Sequence, residues 1–325
     1  MTKHIARYVP PLRLHIAEAL HVRLPQEFQP ELKKSLLSAR AGVRGERSIE
    51  YYLEDYTVNE HIYLRDVRLP YGTHHFQLDG LILTTNFILV TEVKQYAGTV
   101  TYDPDLQQIT RLYDNELATY EDPLQQVKRA VRKLTTWLNL HGFPPIHIEP
   151  CVIFSNNSTP IELANSRAST LPYICRPGGL HDRLHDLFAQ HRNPWGTMAD
   201  VRALYEHLVQ HHVYELPSYS DNTAYAPYIK SGVRCPACKK LMSYSRPHWV
   251  CRCGRRDRSA YRQALYDYAL LKQSTISTRE FLEFAHLSSR YLSQLMLNEV
   301  NLPHLGDRYH RRYDLSPFFR GEIIP

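Results

Sequence analysis

Two neighbouring segments rich in β-forming residues constrain the fold more than any other feature of this sequence. Residues 76–83 and 87–94 are apolar in their centres and are joined by a short polar turn. Side chains alternate between the two faces of a strand, so Glu92 and Lys94 share one face of the second segment. A hairpin formed by the two segments would bring Asp79 beside Glu92.

Charged side chains at the end of a buried strand require an explanation. Twelve residues separate Asp79 from Glu92, and Lys94 follows two residues later. Burying an unpaired charge is costly, and a divalent cation such as Mg²⁺ relieves the repulsion between two carboxylates. A nearby lysine would stabilise negative charge that develops on a phosphodiester. The alternative is a surface hairpin with a cross-strand salt bridge.

The segments around this pair predict an α/β domain. Helical periodicity is present in residues 45–55, and the segment that begins at Pro123 has a 3.6-residue period with Asp122 as its N-cap. Residues 61–69 and 147–154 are predicted strands. An order of helix, three strands, helix and strand favours a sheet flanked by helices.

Residues 42–155 resemble the NERD (nuclease-related) domain family, which typically shows a GE helix, a QxD strand, an ExK strand followed by glycine, and an NPxxQ-like helix start. The matching motifs are, in order, Gly45-Glu46, Gln77-Leu-Asp79-Gly80, Val90-Thr-Glu92-Val-Lys94, Gly98 and Asp122-Pro-Leu-Gln-Gln126. Asp122 stands where the family has asparagine, and aspartate caps a helix equally well.

The resemblance implies the PD-(D/E)xK nuclease superfamily, with a restriction-endonuclease-like mixed sheet flanked by helices. It implies that Asp79 and Glu92 bind Mg²⁺ (or Mn²⁺) and that Lys94 is the catalytic lysine.

Two further site residues follow from the same resemblance. Glu46 would complete the site and Gln126 would lie near the substrate or the attacking water. Glu50 is one helical turn from Glu46 and is the alternative for its role. Glu46 can instead be a favourable charge at a helix N-terminus, and Gln126 a solvent-facing residue of a first turn.

Four cysteines predict a second metal site. Cys235 and Cys238 form a CxxC pair, and after twelve residues Cys251 and Cys253 form a CxC pair. Four thiolates at this spacing are typical of a closed, structural zinc ribbon. Because CxC departs from the commoner CxxC, His248 is an alternative ligand. Redox dithiols or unconnected thiols are the other interpretation. Cys151 and Cys175 stand alone in the sequence and are predicted core thiols.

Basic and aromatic residues surround the cysteines. The basic side chains can bind phosphates and the aromatic rings can stack on bases, although a solvated basic face is the alternative. They are Lys239, Lys240, Tyr244, Arg246, Trp249, Arg252, Arg255, Arg256 and Arg258. Residues 276–297 predict two short helices compatible with a helix-turn-helix or a packed helical hairpin. In the first case Ser288, Ser289, Arg290 and Gln294 would be exposed, and the run Arg308 to Arg312 would form a basic wing.

The sequence therefore predicts five segments. They are an N-terminal helical extension (1–40), a nuclease-like domain (41–213), a linker (214–231), the zinc ribbon (232–256) and a helix-turn-helix-like module (257–325). A winged helix is one form that the last module can take.

Composition limits the classes of protein that this chain can belong to. It has 325 residues, a formal charge of +6 and a pI near 8.9, which permit a polyanionic partner. Its longest apolar run, residues 81–93, is interrupted and too short to cross a bilayer. The N-terminus lacks a signal-peptide hydrophobic stretch, and metal-type cysteine pairs suit a reducing compartment, so a cytoplasmic protein is predicted.

These features together predict a metal-dependent nuclease that hydrolyses phosphodiester bonds of DNA, in DNA processing or defence against foreign DNA, with DNA favoured over RNA as the nucleic-acid partner. The family resemblance and composition fit a bacterial origin. Two alternatives are a DNA-binding protein with a catalytically inactive nuclease fold, and a protein–protein interaction scaffold.

Overall fold

The computed structural model describes residues 11–164, 171–307 and 310–325. The chain divides into two compact units. Of the described residues, the first unit comprises Ala41–Val213, and the second comprises residues 11–40 together with Tyr214–Pro325. Each unit has its own hydrophobic core.

Two helices come first along the chain, α1 (Leu12–Arg23) and α2 (Gln29–Glu54), and α2 contains the division between the units. The first unit continues with strands and helices in the order β1 (Ile62–Tyr71), β2 (His74–Leu83), β3 (Ile88–Lys94), β4 (Thr99–Asp103), β5 (Gln108–Tyr113), β6 (Glu116–Glu121), α3 (Pro123–Leu140), β7 (Ile148–Phe154), β8 (Ile161–Leu163), β9 (Ile174–Cys175), α4 (Leu180–Gln190) and α5 (Met198–Gln210).

The central sheet of the first unit is mixed, in the order β1-β2-β3-β7-β9. Its first two pairings are antiparallel, whereas β3–β7 and β7–β9 are parallel. A second sheet has the order β6-β5-β4-β8. Because β3 and β7 are parallel, a crossover must join them, and α3 supplies its helix.

Helices cover both faces of the central sheet. On one face the apolar side of α3 packs with α5 against the strands, and Trp137 and Leu204 are among the buried residues of that core. On the other face Ile49 of α2 and Leu184 of α4 pack with Leu89 of β3. The structure thus confirms the predicted α/β fold class, a mixed sheet flanked by helices.

Local side-chain bonds fix the elements that lead to the site. The Thr84 hydroxyl donates to the Phe87 carbonyl at 2.7 Å and accepts from the Phe87 N–H at 3.0 Å, which closes the turn between β2 and β3. The Asp122 carboxylate accepts from the Leu124 N–H at 2.8 Å and caps α3, as predicted. The turn sets the register of the hairpin, and the cap sets where α3 begins.

The second unit carries small sheets and short helices. After α1 and the first part of α2 its elements are β10 (Ser243–Ser245), β11 (His248–Val250), β12 (Arg256–Asp257), α6 (Tyr261–Leu271), β13 (Thr275–Ser277), α7 (Thr278–Ala285), α8 (Arg290–Glu299), β14 (His304–Leu305), β15 (Arg312–Asp314) and α9 (Ser316–Phe319). A capping box formed by Ser277 and Glu280 opens α7. None of the helices in the described ranges is both long and apolar enough to span a membrane.

The terminal elements of the chain alternate between short helices and short strands. Helix α6 and strand β13 precede the helix pair α7 and α8, and β14 and β15 then complete a small sheet in the order β13-β15-β14. One core joins these helices to the cysteine segment and to α1, since Leu20, Trp249 and Leu265 belong to a single buried cluster. Packing in this unit therefore includes residues from several of the predicted segments.

A buried ion pair lies at the centre of the second unit. Arg23 is fully buried, and its Nε lies 2.7 Å from the Asp267 carboxylate. Its Nη1 donates to the carbonyls of Lys230 and Gly232 at 2.9 and 3.1 Å, and its guanidinium lies 4.8 Å from the centre of the Phe284 ring. The arginine thus holds a loop and two helices together.

We expect Arg23→Met to destabilise the chain by about 3–5 kcal/mol, because it leaves the Asp267 carboxylate buried without its partner. Urea unfolding, with Arg13→Met at an exposed position of α1 as the control, would measure this. The double variant Arg23→Met/Asp267→Leu should recover much of the loss. A single variant as stable as the wild type would contradict the role given to this ion pair.

Candidate active site and metal centres

The register of the β2–β3 hairpin brings Asp79 to the glutamate of the next strand. The ladder runs from Leu83↔Ile88 to Gly80↔Thr91, so the next position on each strand is Asp79 and Glu92. One oxygen of the Asp79 carboxylate accepts from the Val93 N–H at 2.9 Å. Burial, followed by the charge of Glu92, raises the pKa of Asp79 to about 7.

Glu92 and Lys94 form an ion pair on one face of β3. The Lys94 Nζ lies 2.6 Å from the Glu92 carboxylate, and each side chain is about one-fifth exposed, 20% and 19%. Burial alone would lower the pKa of Lys94, but Glu92 outweighs it and holds that pKa above its usual value. Lys94 is therefore a charged ammonium group at the edge of the acidic site.

Glycine at position 45 allows α2 to approach the end of β3 closely. A Cβ there would lie 2.6 Å from the Ser155 hydroxyl and 3.1 Å from the Gln95 side chain. Glu46 follows directly, and one of its carboxylate oxygens is buried without a hydrogen-bond partner. Burial, then the charge of Asp79, raises the pKa of Glu46 to about 8.

A fourth carboxylate, Asp66, lies beside these residues and is not evident in the sequence. The β1–β2 ladder pairs Arg65 with Gly80 and Val67 with Leu78, which places Asp66 opposite Asp79. Asp66 has a left-handed backbone (φ 55°), and its carboxylate accepts a hydrogen bond from Gln77. Burial raises its pKa. Only the strand register reveals this residue, because its strand carries no motif.

The donor set fits a hard divalent cation. Oxygen ligands from carboxylates are those that Mg²⁺ prefers. The hydrogen bonds of Asp79 and Glu92 use one oxygen of each carboxylate, and Glu46 offers an unpartnered oxygen. The three carboxylates do not all come within 4.8 Å of one another in the described structure. Burial first, and then repulsion between neighbouring carboxylates, raises the pKa values of Asp79 and Glu46, and a bound cation would offset both effects.

Two further sequence candidates have other partners. Glu50, the alternative to Glu46, forms an ion pair with Arg65 at 3.1 Å, which favours Glu46 for the site. The Gln126 amide donates to the Glu121 carboxylate at 3.1 Å, at the start of α3. Gln126 makes none of the described hydrogen bonds to the carboxylates of the site.

An arginine surrounded by tyrosines lies beside Lys94 and is absent from the sequence predictions. The guanidinium carbon of Arg111 lies 5.9 Å from the ring centre of Tyr96 and 5.5 Å from those of Tyr113 and Tyr120. Tyr96 is two residues after Lys94 and interacts electrostatically with it. Arg111 and Tyr113 are on β5 and Tyr120 is on β6, so only the folded sheet brings them together. We call this group the Arg111 cluster.

Four cysteines form a compact group in the second unit. Their sulfur atoms all lie within 4.8 Å of one another, and His248 is not part of the group. Backbone N–H groups, first that of Cys238, lower the pKa of Cys235 to about 7. Thiolates held by turn amides at this spacing can bind a metal such as zinc. The geometry favours four thiol ligands over a site that includes His248.

The surface of the cysteine segment is basic, as its sequence suggests. Exposed residues there are Lys239, Lys240, Arg246, Arg252, Arg255, Arg256 and Arg258. Trp249 is only 1% exposed and packs in the core of the unit, so the prediction that it can stack on bases is wrong. Tyr244 is half-buried against it, at 5.3 Å between ring centres.

The terminal module exposes part of its predicted surface. Ser288, Arg290 and Gln294 are exposed on or beside α8, whereas Ser289 caps that helix through the Tyr291 N–H. Arg308 lies outside the described residues. Arg312 forms an ion pair with Glu280 at 2.9 Å, and the basic wing stays a prediction.

The two remaining cysteines, which look solitary in the sequence, are neighbours in space. Their sulfur atoms lie 3.6 Å apart, between β7 and β9. Cys151 is buried, as expected of a core thiol, and Cys175 is partly exposed. They contribute to packing of the first unit and are separate from the cysteine group of the second.

Comparison with known proteins adds one finding to this geometry. Residues 41–155 match the family model described as Nuclease-related domain, NERD. The match covers α2 from Ala41 onward and every strand and helix up to the end of β7 at Phe154. No curated protein and no solved structure matches the chain.

Proposed function

We propose that the chain is a metal-dependent nuclease of the PD-(D/E)xK type that hydrolyses phosphodiester bonds of DNA, since residues 41–155 match the nuclease-related domain model. One observation carries the proposal. Asp79 lies in register beside the Glu92–Lys94 pair, while Glu46 brings an unpartnered carboxylate oxygen to the same acidic cluster.

Each residue of the site has a distinct proposed role. Asp79 and Glu92, supported by Glu46, would hold Mg²⁺ (or Mn²⁺), which supplies Lewis-acid polarisation of the phosphate when bound. Lys94 is held by Glu92 in a charged state and would stabilise negative charge on the phosphoryl oxygens. Gln126 would orient the attacking water from the first turn of α3.

The second unit is proposed to hold the nucleic acid. Its four cysteines would bind Zn²⁺ as structural ligands, and the exposed lysines and arginines around them would contact phosphates. Helix α8, with Arg290 and Gln294 exposed, would enter a DNA groove as the second helix of a helix-turn-helix does, which favours DNA over RNA. The same metal-type thiols support a reducing, cytoplasmic location.

Metal-dependent cleavage is the direct test of the proposed activity. Purified protein incubated with Mg²⁺ or Mn²⁺ should convert closed-circular plasmid to nicked or linear forms, or shorten linear DNA, and EDTA should stop the reaction. Gel analysis of both substrates separates endonuclease from exonuclease action. Intact DNA under all metal conditions, with binding retained, would favour the catalytically inactive DNA-binding alternative.

The scaffold alternative differs in its response to salt. Contacts with phosphates release counterions, so DNA affinity should fall steeply as salt rises, whereas an apolar protein contact should not. Filter binding at several salt concentrations distinguishes the two. Affinity that does not change with salt would argue against the basic surfaces as a nucleic-acid site.

The Arg111 cluster gives a separate prediction about substrate binding. Arg111→Ala should weaken binding of single-stranded DNA by about tenfold, because an arginine among aromatic rings provides both a phosphate partner and a stacking surface. Fluorescence anisotropy with a labelled oligonucleotide would measure it. Arg202→Ala at an exposed position of α5 is the matched control. Equal effects of the two substitutions would mean that Arg111 contributes charge alone.

A further inference from the structure

Three histidines meet in the first unit, away from the candidate active site. His141 is the C-cap of α3, His207 lies in the last turn of α5, and His211 is the C-cap of α5. One ligand nitrogen from each lies within 4.8 Å of the other two. The ring centres are 5.0 Å apart for His141–His207 and His141–His211, and 4.1 Å apart for His207–His211. We call this group the histidine trio.

In two of the rings, a hydrogen bond at Nδ1 leaves Nε2 available to bind a metal ion. The Nδ1 atom of His141 lies 2.8 Å from the Trp137 carbonyl, and that of His211 lies 2.8 Å from the His207 carbonyl. A carbonyl only accepts, so each Nδ1 carries the proton and each neutral ring keeps a lone pair on Nε2. Metal-binding histidines are commonly oriented by this kind of bond.

The third ring supplies an independent observation that points to a ligand site. The Nε2 atom of His207 is buried and has no hydrogen-bond partner. A buried polar atom left unpaired is costly and needs an explanation. Trp137 lies beneath the trio, 2% exposed and stacked on His141 at 3.8 Å between ring centres, so the rings have little freedom to turn away.

We propose that the histidine trio binds a divalent transition-metal ion, Zn²⁺ in the first instance, through three imidazole nitrogens. Imidazole suits zinc, whereas Mg²⁺ prefers oxygen. Zn–N bonds of ~2.0 Å place tetrahedral ligand atoms roughly 3.3 Å apart. The three ligand nitrogens already lie within 4.8 Å of one another, so small ring rotations would bring them to that separation. All three histidines are partly exposed, which leaves room for a water as the fourth ligand.

The ion would join the end of α3 to α5. Both helices pack on the same face of the central sheet. The trio lies at the opposite end of α3 from Gln126, because a rise of 1.5 Å per residue puts about 22 Å of helix between Gln126 and His141. The proposed site is therefore distinct from the acidic cluster, and it would stabilise the helices that flank the sheet without touching the substrate.

Metal counting on the full chain tests this proposal. Native mass spectrometry after Zn²⁺ addition, with millimolar Mg²⁺ present to occupy the carboxylates, should give two Zn²⁺ per chain, one at the cysteines and one at the trio. The double variant His207→Gln/His211→Gln should lose one Zn²⁺, and the matched variant His74→Gln/His75→Gln, at exposed positions of β2, should keep both.

Cobalt distinguishes the two sites in the unaltered protein, so the test does not depend on the variants folding. With the cysteines already filled by Zn²⁺, one equivalent of Co²⁺ should give the visible bands of a tetrahedral nitrogen and oxygen site, without a thiolate charge-transfer band. A wild-type chain that binds no second ion, or a trio variant that still binds two, would overturn the proposal.

Discussion

Asp79→Asn is expected to lower the rate of metal-dependent DNA cleavage by about 1000-fold or more, because it removes one charged ligand from the proposed cation site. The asparagine oxygen can still accept the hydrogen bond from the Val93 N–H that Asp79 accepts at 2.9 Å, so the fold should be retained. Initial rates on plasmid DNA at saturating Mg²⁺ would measure the effect. Asp114→Asn, at an exposed turn between β5 and β6 with φ 54°, is the matched control.

The same variant should be more stable than the wild type in the absence of metal. The pKa of Asp79 is raised to about 7 in the folded chain, chiefly by burial and by Glu92. A carboxyl whose pKa is higher in the folded than in the unfolded chain stabilises the folded state at low pH, where the group is protonated. That contribution to stability is lost as the pH rises through the folded pKa of about 7. Above this pH, in EDTA, asparagine should therefore gain ~2 kcal/mol of stability over aspartate. Retained cleavage with unchanged stability would contradict the assignment of Asp79.

Much of the first unit follows from local sequence signals. Alternation predicts the strands that carry Asp79 and Glu92, and Asp122 with Pro123 marks the start of α3, as the structure confirms. These features depend on neighbours a few residues apart, through strand alternation and capping. The identity of the catalytic residues stays a prediction, since it depends on chemistry that geometry alone does not test.

Other features depend on contacts between distant parts of the chain. Asp66 joins the acidic cluster only through the β1–β2 register, and the Arg111 cluster exists only when β5 and β6 pair. The burial of Trp249 similarly follows from a core to which α1 and α6 contribute. In the Arg111 cluster and around Trp249, the sequence contains aromatic residues close to basic ones. Only tertiary packing decides whether the ring of such an aromatic residue faces solvent.

Removal of metal from the cysteine group should have the largest effect on stability. Cys235 and Cys251 are buried in the core of the second unit, and sulfur atoms of the group approach to 3.4 Å, between Cys238 and Cys251. Without a cation, the four thiols crowd one another, and the β10–β12 sheet has few apolar residues of its own. We expect Cys251→Ser to lower Tm by at least about 10 °C and to remove one Zn²⁺ per chain.

Cys175→Ser in the first unit is the matched control, because it changes a thiol that is outside the metal group. Hydrogen exchange followed by mass spectrometry would locate the change. In Cys251→Ser, amides of residues 232–258 should lose protection first, while those of β2 and β3 keep it, since these strands belong to a different core. Unchanged zinc content and Tm in Cys251→Ser would mean that the four thiols are not a structural metal site. That conclusion does not depend on the result for Asp79→Asn.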